Sequence, residues 1–175
     1  VQDAAYATLC YDDAPMSILS RPGGKETAVE IHSMSKSYNM TGWRLGYGIA
    51  PPELTRWLTQ IQINAASCTA SFTQFAGVEA LEGPQAGVEA MVETFRGRRD
   101  LIVEGLNAIK GVSCLTPKGA FYVFPNIEET GIGSKKLSNL CLDEAGVAVL
   151  PGTAFGAYGE GYLRLSYANS TENIE

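Results

Sequence analysis

The sequence predicts an α/β fold that passes through one long helix into an α+β region. Three observations carry this. Short apolar segments at 27–32 and 44–50 precede two helical patterns. A stripe of apolar residues at three- and four-residue spacing runs from Val88 to Ile109. After Gly111 short strand-like runs return around one helical pattern at 134–145. This order divides the chain into a strand-helix part, residues 1–85, and a second part, residues 86–175, that opens on the long helix.

Each element has its own justification. Thr27 to His32 alternates through Ala28, Val29, Glu30 and Ile31 and predicts a strand, and Arg44 to Ala50 predicts another. Pro51-Pro52-Glu53 opens a helix, because proline suits a first turn and glutamate its positive end. Leu54, Trp57, Leu58 and Ile61 fall on one face of it. A second helix covers Ser71 to Leu81 and is broken by Gly83-Pro84. The third runs from Ala86 to Ile109, with Val88, Val92, Phe95, Ile102, Leu106 and Ile109 on its stripe and Arg99 in the gap. A plain core-facing helix accounts for that pattern. Val112 to Leu115 and Phe121 to Pro125 predict strands. Ser134 to Ala145 predicts a helix with Leu137, Leu140 and Cys141 inward. Val147 to Leu150 and Tyr162 to Tyr167 predict two further strands. The final residues from Asn169 read as a helix start, capped by Asn169 or Ser170, with Glu172 closing a capping box on Asn169. A start at Val1 and a helix opening without a body both read as boundaries of a larger unit.

Composition narrows the function. With 175 residues the chain makes one ordinary domain or two small ones, and 45% hydrophobic with 18% charged residues is a globular balance. A formal charge of −6 argues against a general nucleic-acid binder, which carries a basic excess. No apolar run reaches the roughly 18 residues of a membrane span, and no signal-peptide pattern is present. Cys10, Cys68, Cys114 and Cys141 lie far apart with no C-x-x-C pair, and read as reduced, mostly buried thiols of a cytoplasmic protein. His32 is the single histidine, so neither a metal site nor a Ser-His-Asp triad is expected.

The informative stretch is Ser33-Met34-Ser35-Lys36-Ser37, followed by Gly42-Trp43-Arg44-Leu45-Gly46. A lysine amine is a useful nucleophile when it forms a Schiff base with a carbonyl, that of pyridoxal phosphate included. Such a cofactor makes three demands. Its phosphate needs hydroxyl donors and a guanidinium fork. Its pyridine nitrogen needs an anion, and its phenolic oxygen a hydrogen-bond donor. Ser33, Lys36 and Arg44 meet the first demand within one loop between two strands. Glycines 42 and 46 are expected to let backbone approach closely around Arg44. Asp3 and Tyr6, three apart near a strand end, can meet the others. Each piece alone is ordinary, since a lone lysine is usually a solvated charge. The ordered set is far more specific.

These motifs resemble the C-terminal half of the class I/II aminotransferase family, fold-type I pyridoxal-phosphate enzymes, over essentially the whole chain. The resemblance implies that residues 1–85 are the C-terminal part of a large cofactor-binding domain, with a mixed, mostly parallel sheet, and that 86–175 form a small α+β domain. It implies that Lys36 is the Schiff-base lysine, that Ser33 and Arg44 hold the phosphate with Ser35 as a weaker contact, and that Asp3 and Tyr6 serve the ring. "KGAFYVFP", Lys118 to Pro125, is similar to the segment that carries an aromatic toward the substrate. "PGTAFGAYGEGYLRLSYA", Pro151 to Ala168, is similar to the family's C-terminal motif, and its Arg164 then binds the substrate α-carboxylate. A planar fork suits that task where a lysine would not.

The implied activity is transamination between an L-amino acid and a 2-oxo acid. The same residues serve other reactions on this scaffold, such as a β-lyase or a cyclopropane-forming synthase, and the aminotransferase-like effector part of a transcription regulator is a further alternative. The family's chain is roughly twice as long. Its N-terminal half supplies a phosphate loop, a ring-stacking aromatic and an asparagine, so this chain alone is expected to be inactive. Asn64 to Gln74 resembles the part that reaches a neighbour's phosphate site, which implies a homodimer in the full-length form.

Overall fold

The computed structural model describes residues 1–13 and 15–175, which divide into two compact units, Val1–Val92 and Glu93–Glu175. The first unit holds a three-stranded sheet of β1 (Gln2–Asp3), β2 (Glu30–Ser33) and β3 (Gly46–Ile49), in that order. The helical turn α1 (Gly24–Thr27) lies between β1 and β2, and α2 (Met34–Ser37) follows β2 directly. Strand β1 pairs parallel with β2, and β2 pairs antiparallel with β3. The sheet is therefore mixed, with one pairing of each sense where mostly parallel pairing was expected. The reason is the link from Ser33 to Gly46. It holds α2 and one 3-10 turn and no crossover helix, so β3 must return antiparallel.

Strand ends differ from expectation for local reasons. Thr27 closes α1, and the strand starts only at Glu30. Arg44 sits in the left-handed region at φ 53°, which delays β3 to Gly46. The unit's buried residues include Leu9, Tyr11, Met34 and Met40. Glu30 is buried too, at 4% exposure, and its carboxylate is satisfied by Ser17 Oγ at 2.5 Å and His32 Nε2 at 2.8 Å. Burial alone would push that carboxyl up. The Ser17 hydroxyl outweighs it and, with His32, holds the group below the usual carboxylate range.

Helices α3 (Pro52–Ala66) and α4 (Ser71–Glu82) complete the first unit, together with the start of α5 (Ala86–Ala108). Proline stands in the first turn of α3, as its fixed φ favours. Leu54, Trp57, Leu58 and Ile61 share a face of α3, and that face is exposed. On α4, Phe72 and Phe75 are 73% and 76% exposed, so amphipathic pattern here does not mean burial within this chain.

The second unit carries an antiparallel sheet in the order β4 (Tyr122–Val123), β6 (Leu163–Ser166), β5 (Leu150–Pro151), with α6 (Ser134–Ala145) between β4 and β5. Its core gathers Val103, Cys114, Val123, Ile127, Leu163 and Tyr167. On α5 the buried positions here are Arg99 and Val103, whereas Ile109, one residue past the helix end, is exposed. Arg99 donates to Asp100 at 2.8 Å and to the Pro117 carbonyl at 3.3 Å, which makes its burial tolerable. Val112 to Leu115 is not a strand. Ser113 makes one bridge to Asn126, while the Asn107 side chain takes both the N–H and the C=O of Cys114, at 2.8 and 3.0 Å. Strands β4 and β5 are shorter than their sequence patterns, and before β5 the backbone bonds to α6 instead, Val147 N to Cys141 O at 2.9 Å and Ser138 Oγ to Val149 O at 2.8 Å.

On α6 the buried residues are Ser134 and Ser138, and Leu137, Leu140 and Cys141 are only half-buried. The last helical turn, α7 (Thr171–Ile174), is capped by Ser170, whose Oγ accepts from Asn173 N. Asn169 instead accepts from Ser170 N, so the capping box on Asn169 does not form. All four thiols are free, but only Cys114 is buried, and Cys68 is exposed in the link between α3 and α4. Among the described residues no helix is long and apolar enough to cross a membrane.

Candidate active site

The sheet register brings three of the singled-out segments to one end of the first unit. Asp3 ends β1 beside Ile31, Ser33 ends β2, and Gly46, opposite Ser33, begins β3. Asp3, the turn carrying Tyr6, the Ser33–Lys36 segment and Arg44 thus all follow or precede strand ends on the same side. That is where the carboxyl ends of parallel strands place ligand chemistry in open α/β sheets.

Each side chain is held by local bonds. Asp3 Oδ1 accepts from Ala5 N at 3.0 Å and shapes the turn containing Tyr6. That turn closes through Ala7 N to Ala4 O at 3.0 Å and Leu9 N to Tyr6 O at 2.9 Å. Ser33 caps α2, with its Oγ accepting from Ser35 N at 3.2 Å. The hydroxyl proton of Ser33 stays available to an anion, because the cap uses only a lone pair. Met34 is buried at 1% exposure, and its N–H donates to Leu45 O at 3.1 Å. This bond ties the lysine-bearing turn to the Arg44 loop. Lys36 and Ser35 are half-buried on that turn.

The glycines of the second motif differ in role. A Cβ on Gly46 would lie 2.7 Å from the His32 carbonyl, so close backbone approach demands glycine there. A Cβ on Gly42 would meet nothing within 4 Å, so the expectation for that glycine is not met. The strained residue is Arg44 itself, in the left-handed region. Its Nη1 donates to Thr41 O at 2.8 Å, which leaves the rest of an exposed guanidinium outward.

Sequence reasoning missed one contact in this cluster. Thr8 Oγ1 donates to Ser37 Oγ, joining the Tyr6 turn to the Lys36 turn. Nothing in a lone Thr and a lone Ser 29 positions apart signals this.

Taken together the donor set is an amine, two serine hydroxyls, a guanidinium, a carboxylate and a phenol. It suits a phosphorylated aromatic aldehyde: the hydroxyls and guanidinium answer the phosphate, and the carboxylate answers a ring nitrogen.

Arg164 belongs to the second unit. It lies mid-strand on β6, opposite Leu150 of β5. Its guanidinium carbon is 4.7 Å from the Tyr122 ring centroid and 4.2 Å from that of Phe155. Tyr122 reaches it because Tyr122 pairs with Ser166, on the same sheet face. Phe155 comes from the 3-10 turn Gly152–Phe155 that follows β5. Both aromatics stand in the motifs singled out from the sequence, but their contact with Arg164 needed the fold.

A protein-family description, aminotransferase class I and II, matches residues 1–175. An aspartate aminotransferase of Pyrococcus horikoshii is 42% identical over 179 residues, covering 99% of this chain and 45% of that protein. An LL-diaminopimelate aminotransferase of Moorella thermoacetica is 41% identical, covering 99% of this chain and 44% of that protein. The crystal structure of an aromatic aminotransferase from Pyrococcus horikoshii superposes with a TM-score of 0.93 at 43% identity, over 99% of this chain and 47% of that one. The chain spans under half the length of these relatives.

Proposed function

The chain belongs to the class I and II aminotransferase family, and from that premise we propose that the whole protein moves an amino group between an L-amino acid and a 2-oxo acid, using pyridoxal 5'-phosphate. The carrying observation is the convergence of Asp3, Ser33, Lys36 and Arg44 at one end of the sheet. Residues 1–85 are read as the C-terminal portion of a large cofactor-binding domain and 86–175 as a small domain.

Bound there, the cofactor supplies an aldehyde and an electron sink. Lys36 anchors it through Nζ, and that same nitrogen, once free, is the base that moves the substrate's α-proton. Ser33 Oγ–H and the Arg44 guanidinium donate to the phosphate, with Ser35 in support. Asp3 balances the charge on the ring nitrogen, and the Tyr6 hydroxyl donates to the phenolic oxygen. Arg164 pairs with the substrate α-carboxylate through a two-pronged guanidinium contact. The relatives named above carry different amino acids in their names, so membership of the family does not by itself set the choice of donor. Homodimerisation of the whole protein is part of this reading, with the segment from Asn64 to Gln74, which includes the exposed Phe72, meeting the partner subunit.

Borohydride reduction of the full-length protein with pyridoxal phosphate, followed by peptide mapping, tests the central assignment. A phosphopyridoxyl group on Lys36 is the expected result. Its appearance on Lys25, Lys110 or another lysine, with none on Lys36, would overturn it.

A further inference from the structure

Arg164 is half-buried, yet it makes no hydrogen bond and no ion pair among the described residues. Of the other arginines in this unit, Arg99 spends donors on Asp100 and Pro117, Arg96 pairs with Glu93 at 3.1 Å, and half-buried Arg98 lies over a single ring, 5.6 Å from the Phe95 centroid. What Arg164 has instead is an aromatic ring against its guanidinium from Tyr122 and another from Phe155. These rings are themselves braced. Tyr122 packs on Phe121 at 4.7 Å between centroids, and Phe121 on Phe95 at 5.7 Å. Phe155 meets Phe124 edge-on at 6.2 Å, and Phe124 stacks on Tyr162 at 5.1 Å with planes 10° apart.

Ring contacts restrain a guanidinium without using its N–H groups. The attraction is between the cation and the ring quadrupole, so all five donors keep their hydrogen-bonding capacity. A carboxylate partner would have restrained Arg164 equally well but would have neutralised it. We infer that Phe155 and Tyr122 are positioning residues that hold the Arg164 fork in place, charged and uncommitted, so that Phe155 sets the affinity of this site for a carboxylate. The inference rests on the proposed carboxylate role of Arg164 and deepens it. The physical gain is pre-organisation: a fork already fixed loses less side-chain freedom when an anion arrives.

The test uses the full-length protein and pentanoate as the probe, with its dissociation constant read by NMR titration. Pentanamide, of the same shape and uncharged, is the control. Arg164→Lys is expected to weaken pentanoate at least about tenfold and to leave pentanamide unchanged. Phe155→Leu, which keeps apolar bulk and loses the ring face, is expected to weaken pentanoate about fivefold, or about 1 kcal/mol. Phe155→Trp is expected to bind at least as tightly as the parent protein, since indole is the better cation host. Replacing Phe155 with mono-, di- and trifluorophenylalanine keeps the shape and drains the ring quadrupole, so affinity should fall stepwise with each fluorine. A merely space-filling Phe155 would give a flat fluorine series and a leucine variant like the parent, and either result overturns the inference while Arg164→Lys still weakens binding. If Arg164→Lys leaves pentanoate binding unchanged, the carboxylate role itself has failed.

Discussion

Glu160 caps a helix from 26 residues away: its carboxylate accepts Ser134 N at 2.8 Å and Ser134 Oγ at 2.9 Å. Helix α6 has Gly133 at its N-cap, with no side chain to satisfy the first amides, so the cap comes from the segment that leads into β6. The Ser134 N–H, and then its hydroxyl, hold the Glu160 carboxyl below the usual range. A depressed carboxyl stabilises the fold above its unfolded pKa, and the contribution is lost as pH falls through the folded value. Glu160→Gln is therefore expected to lower Tm at neutral pH. The gap to the parent should narrow below about pH 4, where carboxylates protonate in the unfolded chain. Thermal unfolding followed by circular dichroism across pH checks this. A constant gap would show that the charge is not what caps α6.

Glu30 supplies a second pH-dependent contribution, in the strand that leads to Lys36. Its carboxyl is lowered chiefly by the Ser17 hydroxyl, against burial, and then by His32. Ser17→Ala removes the leading donor and leaves a buried carboxylate short of one bond. The expected loss is about 1.5–3 kcal/mol at neutral pH, in the range for bonds to charged groups. As with Glu160, the sign requires that loss to shrink as pH falls through the lowered Glu30 pKa. Urea unfolding at several pH values measures it.

Two glycines in one motif give a matched pair. Gly46→Ala places a Cβ against the His32 carbonyl and must move backbone in the β2–β3 ladder beside Ser33. The expected cost is about 1–3 kcal/mol, the range for forced overpacking. Gly42→Ala meets open space and should change stability by no more than about 0.5 kcal/mol. Denaturation midpoints of the two variants compare them directly, and equal effects would contradict the geometry.

On the proposed carboxylate role of Arg164, Arg164→Lys is expected to separate substrate recognition from cofactor chemistry. Lysine keeps the charge and loses the fork. In the full-length protein kcat/KM for an amino acid should fall at least about tenfold, which is roughly 1.4 kcal/mol of lost transition-state stabilisation. An amine substrate lacking a carboxylate should lose much less. Equal impairment of both would make Arg164 a structural residue.

The isolated 175-residue chain is expected to show no measurable transaminase activity and to self-associate. The exposed apolar face of α3, with Trp57 at 52% and Ile61 at 64% exposure, and the exposed Phe72 and Phe75 of α4 form the adhesive surface. Sedimentation velocity and dye binding report this. A monodisperse, dye-silent monomer would contradict it.

Much of this was legible in residue order. Helix α6 starts and ends at Ser134 and Ala145 as its period implies, and in the structure a left-handed Gly146 closes it. The family was legible in the stretch around Lys36 and Arg44 because it sets uncommon neighbours in a fixed order. Strand limits were not, because pairing ends wherever a competing local bond wins. Asn107 took the backbone of Cys114, and the left-handed Arg44 held back β3. The amphipathic face of α3 was readable, but not whether it is covered, since burial depends on what lies opposite. Which donors converge was likewise decided by tertiary structure. A register that sets Ser33 against Gly46, and a turn that lays Phe155 on Arg164, join residues by distances in space that no spacing along the chain encodes.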